Sequence, residues 1–182
     1  MMTEKENTRI SKYLSLVLRH APEAAGITLD EHGWTDVGIL LKQLSRNGYA
    51  VSPAELDHVV TTNSKQRFIY DENRARIRAS QGHSVAVDLA YAVSEPPTVL
   101  YHGTAEAFLS SIEKTGLDKR SRHHVHLSAD DETARRVGQR HGKPVVLVVD
   151  AARMRVDGYT FFCSDNNVWL TEHVPTAYLQ RQ

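Results

Sequence analysis

The chain has 182 residues and a mass of 20.5 kDa, room for one ordinary domain or two small lobes and none for a large multidomain enzyme. Hydrophobic residues make up 41% and charged residues 24%, a balance that predicts a packed core and excludes pervasive disorder. Lys plus Arg and Asp plus Glu each number 22, so the zero net charge excludes a polycation that wraps nucleic acid by bulk charge, though not a local phosphate site.

Cys163 is the only cysteine, which rules out an internal disulfide and a multi-thiolate zinc knuckle. The longest aliphatic run, Val145–Val149, is five residues long, against the roughly twenty a bilayer span needs. The N-terminus carries no apolar signal-peptide segment. The expectation is a soluble protein of a reducing compartment, with the cytoplasm as the default location.

In chain order, a polar tail leads into an amphipathic helix over Arg9–His20. Ile10, Tyr13, Leu14, Val17 and Leu18 form its apolar stripe, Thr8 its cap, and Pro22 its stop. Lys12, Ser15 and Arg19 share another face. A second short helix buries Val37, Leu40, Leu41 and Leu44. In the third, Ser52 is an N-cap, Pro53 fits the first turn, and Glu55 completes a capping box, with Leu56, Val59 and Val60 inward. KQRFIYDENRARIRA then alternates around a DEN turn as a β-hairpin. Three helices and a hairpin predict a winged-helix-like lobe.

AVSEPPT, residues 92–98, reads as a linker. The expected division is therefore 1–94 and 95–182. The second part predicts a strand at VLYHG, a helix over Ala105–Lys114 capped by Thr104, and a turn at Gly116. A strand at HVHLS, a helix over Asp131–Gly142, and strands at PVVLVV, YTFF and VWL follow. Short strands with few helices predict a compact α+β lobe. Neither GxGxxG nor GxxxxGK[ST] occurs, so Rossmann and P-loop binding have no support.

Two segments concentrate positive charge. Residues 65–83 hold Lys65, Arg67, Arg74, Arg76 and Arg78 against Asp71 and Glu72, and residues 114–126 hold Lys114, Lys119, Arg120 and Arg122 against Asp118. Arg19 and His20 add a third basic element. Arginine's planar donor fork suits phosphate oxygens, so a site for a phosphorylated ligand is one reading and a solvated surface run the other. His124 and His126 flank Val125 as a strand-borne ligand pair would, but neither a cysteine partner nor an HExxH motif accompanies them, and no metal is expected. In YHGT, Gly103 would let backbone donors approach a ligand closely.

Together these blocks resemble the RNA 2′-phosphotransferase family, KptA in bacteria and the tRNA 2′-phosphotransferase of eukaryotic splicing. The resemblance rests on SKYLSLVLRH (Ser11–His20), KQRF (Lys65–Phe68), IRASQGHS (Ile77–Ser84), YHGT (Tyr101–Thr104), SRHHVHLSAD (Ser121–Asp130) and NNVWLT (Asn166–Thr171), in the family's order. It implies an α+β protein with an N-terminal winged-helix-like RNA-binding lobe and a C-terminal ADP-ribosyltransferase-like NAD-binding lobe. The implied reaction consumes NAD to remove an internal RNA 2′-phosphate. The phosphate attacks C1″ of the nicotinamide ribose to give RNA-2′-phospho-ADP-ribose. The ribose 2″-OH then attacks phosphorus, leaving RNA with a free 2′-OH and ADP-ribose 1″,2″-cyclic phosphate.

By the same resemblance the catalytic set is Arg19, His20, Arg67 and Arg122, and NAD falls to His102, Gly103, Thr104, His126, Leu127 and Ser128. Lys12, Gly82 and His83 would line an RNA or NAD pocket. Val168 stands where protein-modifying relatives place a glutamate, which an already anionic attacking phosphate does not require. The expected partner is RNA bearing an internal 2′-phosphate, bound by a monomer without membrane, metal or obligate protein partner. Two rival readings stay open: ADP-ribosyl transfer to a terminal nucleic-acid phosphate, and a non-enzymatic winged-helix DNA-binding module.

Overall fold

The computed structural model describes residues 2–182, which divide into two compact units, one running to Ala90 and the other from Tyr91 to Gln182. Mixed α+β architecture holds throughout, with helices dominating the first unit and strands the second.

In the first unit, helix α1 spans Glu4–Arg19. It starts five residues earlier than the apolar stripe predicts, because Thr3 and Glu6 form a capping box ahead of that stripe. Thr8 is therefore helix interior and not the cap. Ile10, Leu14, Val17 and Leu18 are buried as expected, while half-buried Tyr13 stacks on Tyr49 with ring centroids 4.1 Å apart. After the 3-10 turn Pro22–Ala24 come strand β1 (Thr35–Asp36), which the pattern does not reveal, and α2 (Val37–Arg46), capped by Asp36. Helix α3 (Pro53–Thr61) has the predicted Ser52–Glu55 capping box and buries Leu56, Val59 and Val60.

Strands β2 (Phe68–Tyr70) and β3 (Arg76–Ala79) make the predicted hairpin, and β1 joins β3 to complete an antiparallel sheet of order β1-β3-β2. Phe68, Ile77 and Ala79 face the helices in one core. Ala75 falls outside the strand and is exposed.

The second unit opens with β4 (Val99–Ala105), the 3-10 turn Glu106–Phe108 and α4 (Leu109–Thr115). Thr104 does not cap this helix. It is a buried residue of β4 paired with Val145, and the cap position is Phe108, with no side-chain bond. Strands β5 (Leu117–Asp118) and β6 (Val125–Leu127) precede α5 (Asp131–Gly138), which continues as the 3-10 turn Gln139–His141. Then come β7 (Pro144–Asp150), α6 (Ala151–Val156), β8 (Phe162–Cys163), β9 (Trp169–Thr171), β10 (His173–Val174) and β11 (Leu179–Arg181). One sheet has the order β11-β7-β4 and another β6-β9-β8, with β5 and β10 forming a separate pair. Reciprocal backbone bonds between Tyr101 and Ser128, at 2.9 and 2.8 Å, tie β4 to the residue after β6. Among the described residues no helix is long and apolar enough to cross a membrane.

Helix α5 lies against β4 at glycine-only distance. A Cβ on Gly103 would sit 1.6 Å from the Ala134 carbonyl oxygen, and one on Gly138 would sit 2.5 Å from the Thr104 carbonyl oxygen. Both obstacles are backbone, so a side chain must displace the whole helix. Gly103→Ala is expected to destabilise the protein by about 1–3 kcal/mol, the usual cost of overpacking, read as a lower denaturation midpoint. A midpoint equal to that of the native chain would contradict this packing.

Ser52→Ala should cost about 1 kcal/mol through loss of the α3 cap. Hydrogen bonds from the Ser52 backbone and hydroxyl hold the Glu55 carboxyl below its ordinary pKa. Its stabilising effect is thus present above the unfolded value and lost as pH falls through the depressed one. The stability difference between the native chain and Glu55→Gln should shrink on acidification, as pH-dependent denaturation curves would show.

Candidate active site

In the first unit, the segment following the hairpin gathers residues that are far apart in sequence. The Ser80 amide donates to the Arg67 carbonyl at 2.9 Å, and the Ser80 hydroxyl donates to the Gln66 carbonyl at 2.7 Å. Gly82 takes a positive φ of 84°, a conformation that costs glycine little. The Ser84 amide then donates to the Arg19 carbonyl at 2.9 Å, one of the acceptors that the end of α1 leaves without a helical partner. Ser80–Ser84 therefore links Arg67 to the C-terminus of α1, where Arg19 and His20 lie. His83, between those anchor points, is buried.

The cationic side chains have defined neighbours. His20 Nδ1 lies 2.9 Å from the Ser84 hydroxyl. Arg67 donates to the Asn63 side-chain oxygen at 3.2 Å, and the Asn63 amide donates to Ser11 Oγ on α1 at 3.3 Å. Asn63 also accepts from the Lys65 amide at 3.1 Å, which fixes the bend where Gln66 has a φ of 42°. Lys12 is exposed on α1. Sequence reasoning did not assign Asn63 and Ser84 to the site. Ser84 ends the quoted IRASQGHS block, but a serine and an asparagine in loops carry no signal until their partners are known.

The rest of the first basic segment is engaged elsewhere. Arg74 pairs with Asp57 and lies over Tyr70. Arg76 pairs with Asp71 at 2.9 Å and Asp30 at 3.5 Å. Arg78 covers Trp34 and donates to the His32 carbonyl at 3.3 Å. These three arginines fasten the hairpin to its own unit, so the phosphate-site reading of the segment narrows to Arg67 and its loop.

In the second unit, His102 Nδ1 lies 3.0 Å from the His126 carbonyl oxygen, and His126 Nδ1 lies 3.1 Å from an Arg122 Nη. Burial pushes the His102 pKa down, the bond to the His126 carbonyl opposes it, and the Arg122 charge adds to the lowering. His102 is thus a neutral imidazole. A carbonyl only accepts, so Nδ1 carries the proton and Nε2 keeps a lone pair able to accept from a hydroxyl. Desolvation also lowers the Arg122 pKa, although its residue surface is largely exposed. An arginine remains a cation under such a shift.

The other residues assigned to NAD fall into two groups. Ser128 is half-buried beside Tyr101. Leu127 is a core residue at 1% exposure, and Thr104 is buried at 6%. The space that a Gly103 side chain would take is filled by the backbone of α5.

His124 packs against the Phe162 ring at 5.4 Å, while His126 contacts Arg122. No group of three or more His, Cys, Asp or Glu residues suited to a metal occurs among the described residues. Burial, then the Asp165 charge, pushes the Cys163 thiol pKa up, which makes it a poor nucleophile. Val168 lies at the end of a tight turn in which its amide donates to Ser164 Oγ at 3.0 Å.

The family model described as RNA 2′-phosphotransferase, Tpt1 / KptA family, matches residues 5–173. A probable RNA 2′-phosphotransferase of Flavobacterium johnsoniae is 51% identical over 179 residues, covering 98% of each chain. One from Rhizobium leguminosarum bv. trifolii is 55% identical over 180 residues, covering 98% of this chain and 96% of the relative. A third, from Trichormus variabilis, is 52% identical over 178 residues, with 98% of each chain covered. A match of that length and identity places this chain in the Tpt1/KptA family of RNA 2′-phosphotransferases.

Proposed function

We propose that this protein removes an internal 2′-phosphate from RNA, using NAD as the acceptor that carries the phosphate away. The observation that carries this reading is the link made by Ser80–Ser84 between Arg67 and the Arg19–His20 end of α1. The first unit is read as a winged-helix-like RNA-binding lobe and the second as an ADP-ribosyltransferase-like lobe, divided near residue 94.

Arg19, His20 and Arg67 receive the RNA phosphate. Guanidinium groups match its oxygens and reduce the repulsion between two anionic reactants. Lys12, exposed on the same helix, adds positive charge for the RNA backbone, and Gly82–His83 shape the adjoining wall. His102 suits a nucleotide ligand, because its neutral ring offers Nε2 to a ribose hydroxyl. Ser128 supplies a second polar contact, and the backbone of Gly103, Thr104 and Leu127 lines the same side. NAD brings the electrophilic ribose carbon and the nicotinamide leaving group.

Arg122 stabilises charge on the transferring phosphate, in the manner of donors placed where charge develops. The path runs through RNA-2′-phospho-ADP-ribose to ADP-ribose 1″,2″-cyclic phosphate, nicotinamide and RNA with a restored 2′-OH. No residue need act as a base on the attacking group, because a phosphate is already anionic at neutral pH. Valine at 168 is compatible with that requirement. The working unit is a cytoplasmic monomer.

The test uses a short RNA with one internal 2′-phosphate, with and without NAD, and resolves RNA and nucleotide products by mass. NAD-dependent loss of the phosphate with matching cyclic phosphate is expected. Arg67→Ala and Arg122→Ala should each lower kcat/KM by roughly 10²–10³-fold, the range for loss of one charge-stabilising donor. Accumulated ADP-ribosylated RNA would favour the terminal-phosphate type of chemistry. Folded protein that leaves both substrates intact would overturn the assignment.

A further inference from the structure

Arg122 has no carboxylate partner among the described residues, and its only hydrogen bond to another side chain there is to His126 Nδ1 at 3.1 Å. A guanidinium has donors and no acceptor, so the imidazole nitrogen facing it must hold a lone pair. His126 is then the tautomer with its proton on Nε2. His102 is the opposite tautomer, because its Nδ1 faces the His126 carbonyl at 3.0 Å and must donate. The Arg122 and carbonyl contacts thus favour opposite proton arrangements in two histidines on neighbouring segments.

The connection has a direction. The His102 ring holds the backbone of His126, the β6–β9 ladder holds that residue opposite Leu170, and the His126 ring holds Arg122. Arg122 itself lies on a bend outside any strand, two residues after the positive φ of Arg120. A long side chain on such a segment has many rotamers, and a fixed acceptor four residues on selects among them.

We propose that His126 is a positioning residue for Arg122: its unprotonated Nδ1 anchors one Nη and fixes where the guanidinium is presented to the reacting phosphate. This rests on the reading of Arg122 as the arginine that meets transferring phosphate. The anchor is a neutral ring, so it orients the cation without neutralising it. Asparagine at 126 would retain an acceptor near the Nδ1 position, whereas alanine would remove it.

Two measurements on the full chain test the proposal. Long-range ¹⁵N–¹H NMR of histidine-labelled protein, without NAD or RNA, should show His126 protonated on Nε2 and His102 on Nδ1. In Arg122→Ala the His126 signal should move toward a mixture of tautomers. A His126 proton on Nδ1 in the native chain would overturn the proposal whatever the protein catalyses.

The second measurement is a double-mutant cycle on RNA 2′-phosphate removal, with unfolding curves recorded for every variant. His126→Ala should lower kcat by about 10–100-fold, the scale expected for a misplaced catalytic group. His126→Asn should recover most of that loss. In the Arg122→Ala background, His126→Ala should cost little more, because its effect passes through the missing arginine. Additive losses, asparagine no better than alanine, or a rise confined to the KM for NAD would each overturn it. An inactive native chain with the expected tautomers would instead count against the assigned reaction and leave the anchor standing.

Discussion

A protein with no net charge attracts a phosphate only where some cations are not spent on its own carboxylates. That constraint separates the basic residues of this chain into two kinds. Arg74, Arg76 and Lys119 are paired with Asp57, Asp71 and Glu172, and their charge is largely consumed within the fold. Arg122 is held instead by the His126 ring. A neutral acceptor fixes a side chain's direction while leaving its field intact, whereas a carboxylate fixes direction and cancels the field. Arg122 belongs to the second kind, since its one side-chain hydrogen bond among the described residues is to the His126 ring.

How much of this the sequence disclosed depended on the distance between cause and effect along the chain. Helix α3 was legible in full, because Ser52, Pro53 and Glu55 act on one another within three residues. The start of α1 was misplaced because the apolar stripe is the louder signal, and the Thr3–Glu6 box sits outside it. Strand β1 has two residues, too few for alternation to register, and its existence depends on β3 some forty residues later. Helix α6 follows β7 directly, and its cap, Asp150, is also the last residue of that strand. The basic segments show the same limit. Their local charge was countable, but the carboxylates that neutralise Arg74 and Arg76 include Asp57 and Asp30, which lie outside the segment.

The site motifs were recognisable as blocks, yet their residues are there for different reasons. A strand sends consecutive side chains to opposite faces. In SRHHVHLSAD, Val125 and Leu127 enter the core while His126 and Ser128 occupy the other face. In YHGT, His102 turns toward the His126 carbonyl, and the position where Gly103 would carry a side chain is filled by the backbone of α5. Any block of four or five strand residues that includes a site must therefore also include packing residues, in alternation. Leu127 and Gly103 belong to the packing half, and whatever they give a ligand comes from their backbone.

This alternation also makes the two halves interdependent. Gly103 lets α5 seat closely on β4, and β4 in turn presents the His102 ring to the residue that orients Arg122. A side chain at 103 would act first on the helix and reach the arginine only through a shift of the strand. Loss of the acceptor at 126 would leave the helix seated and the arginine unguided. Packing and chemistry share a motif here because they share a strand, and which face a residue serves decides whether its loss is felt as instability or as a misdirected charge.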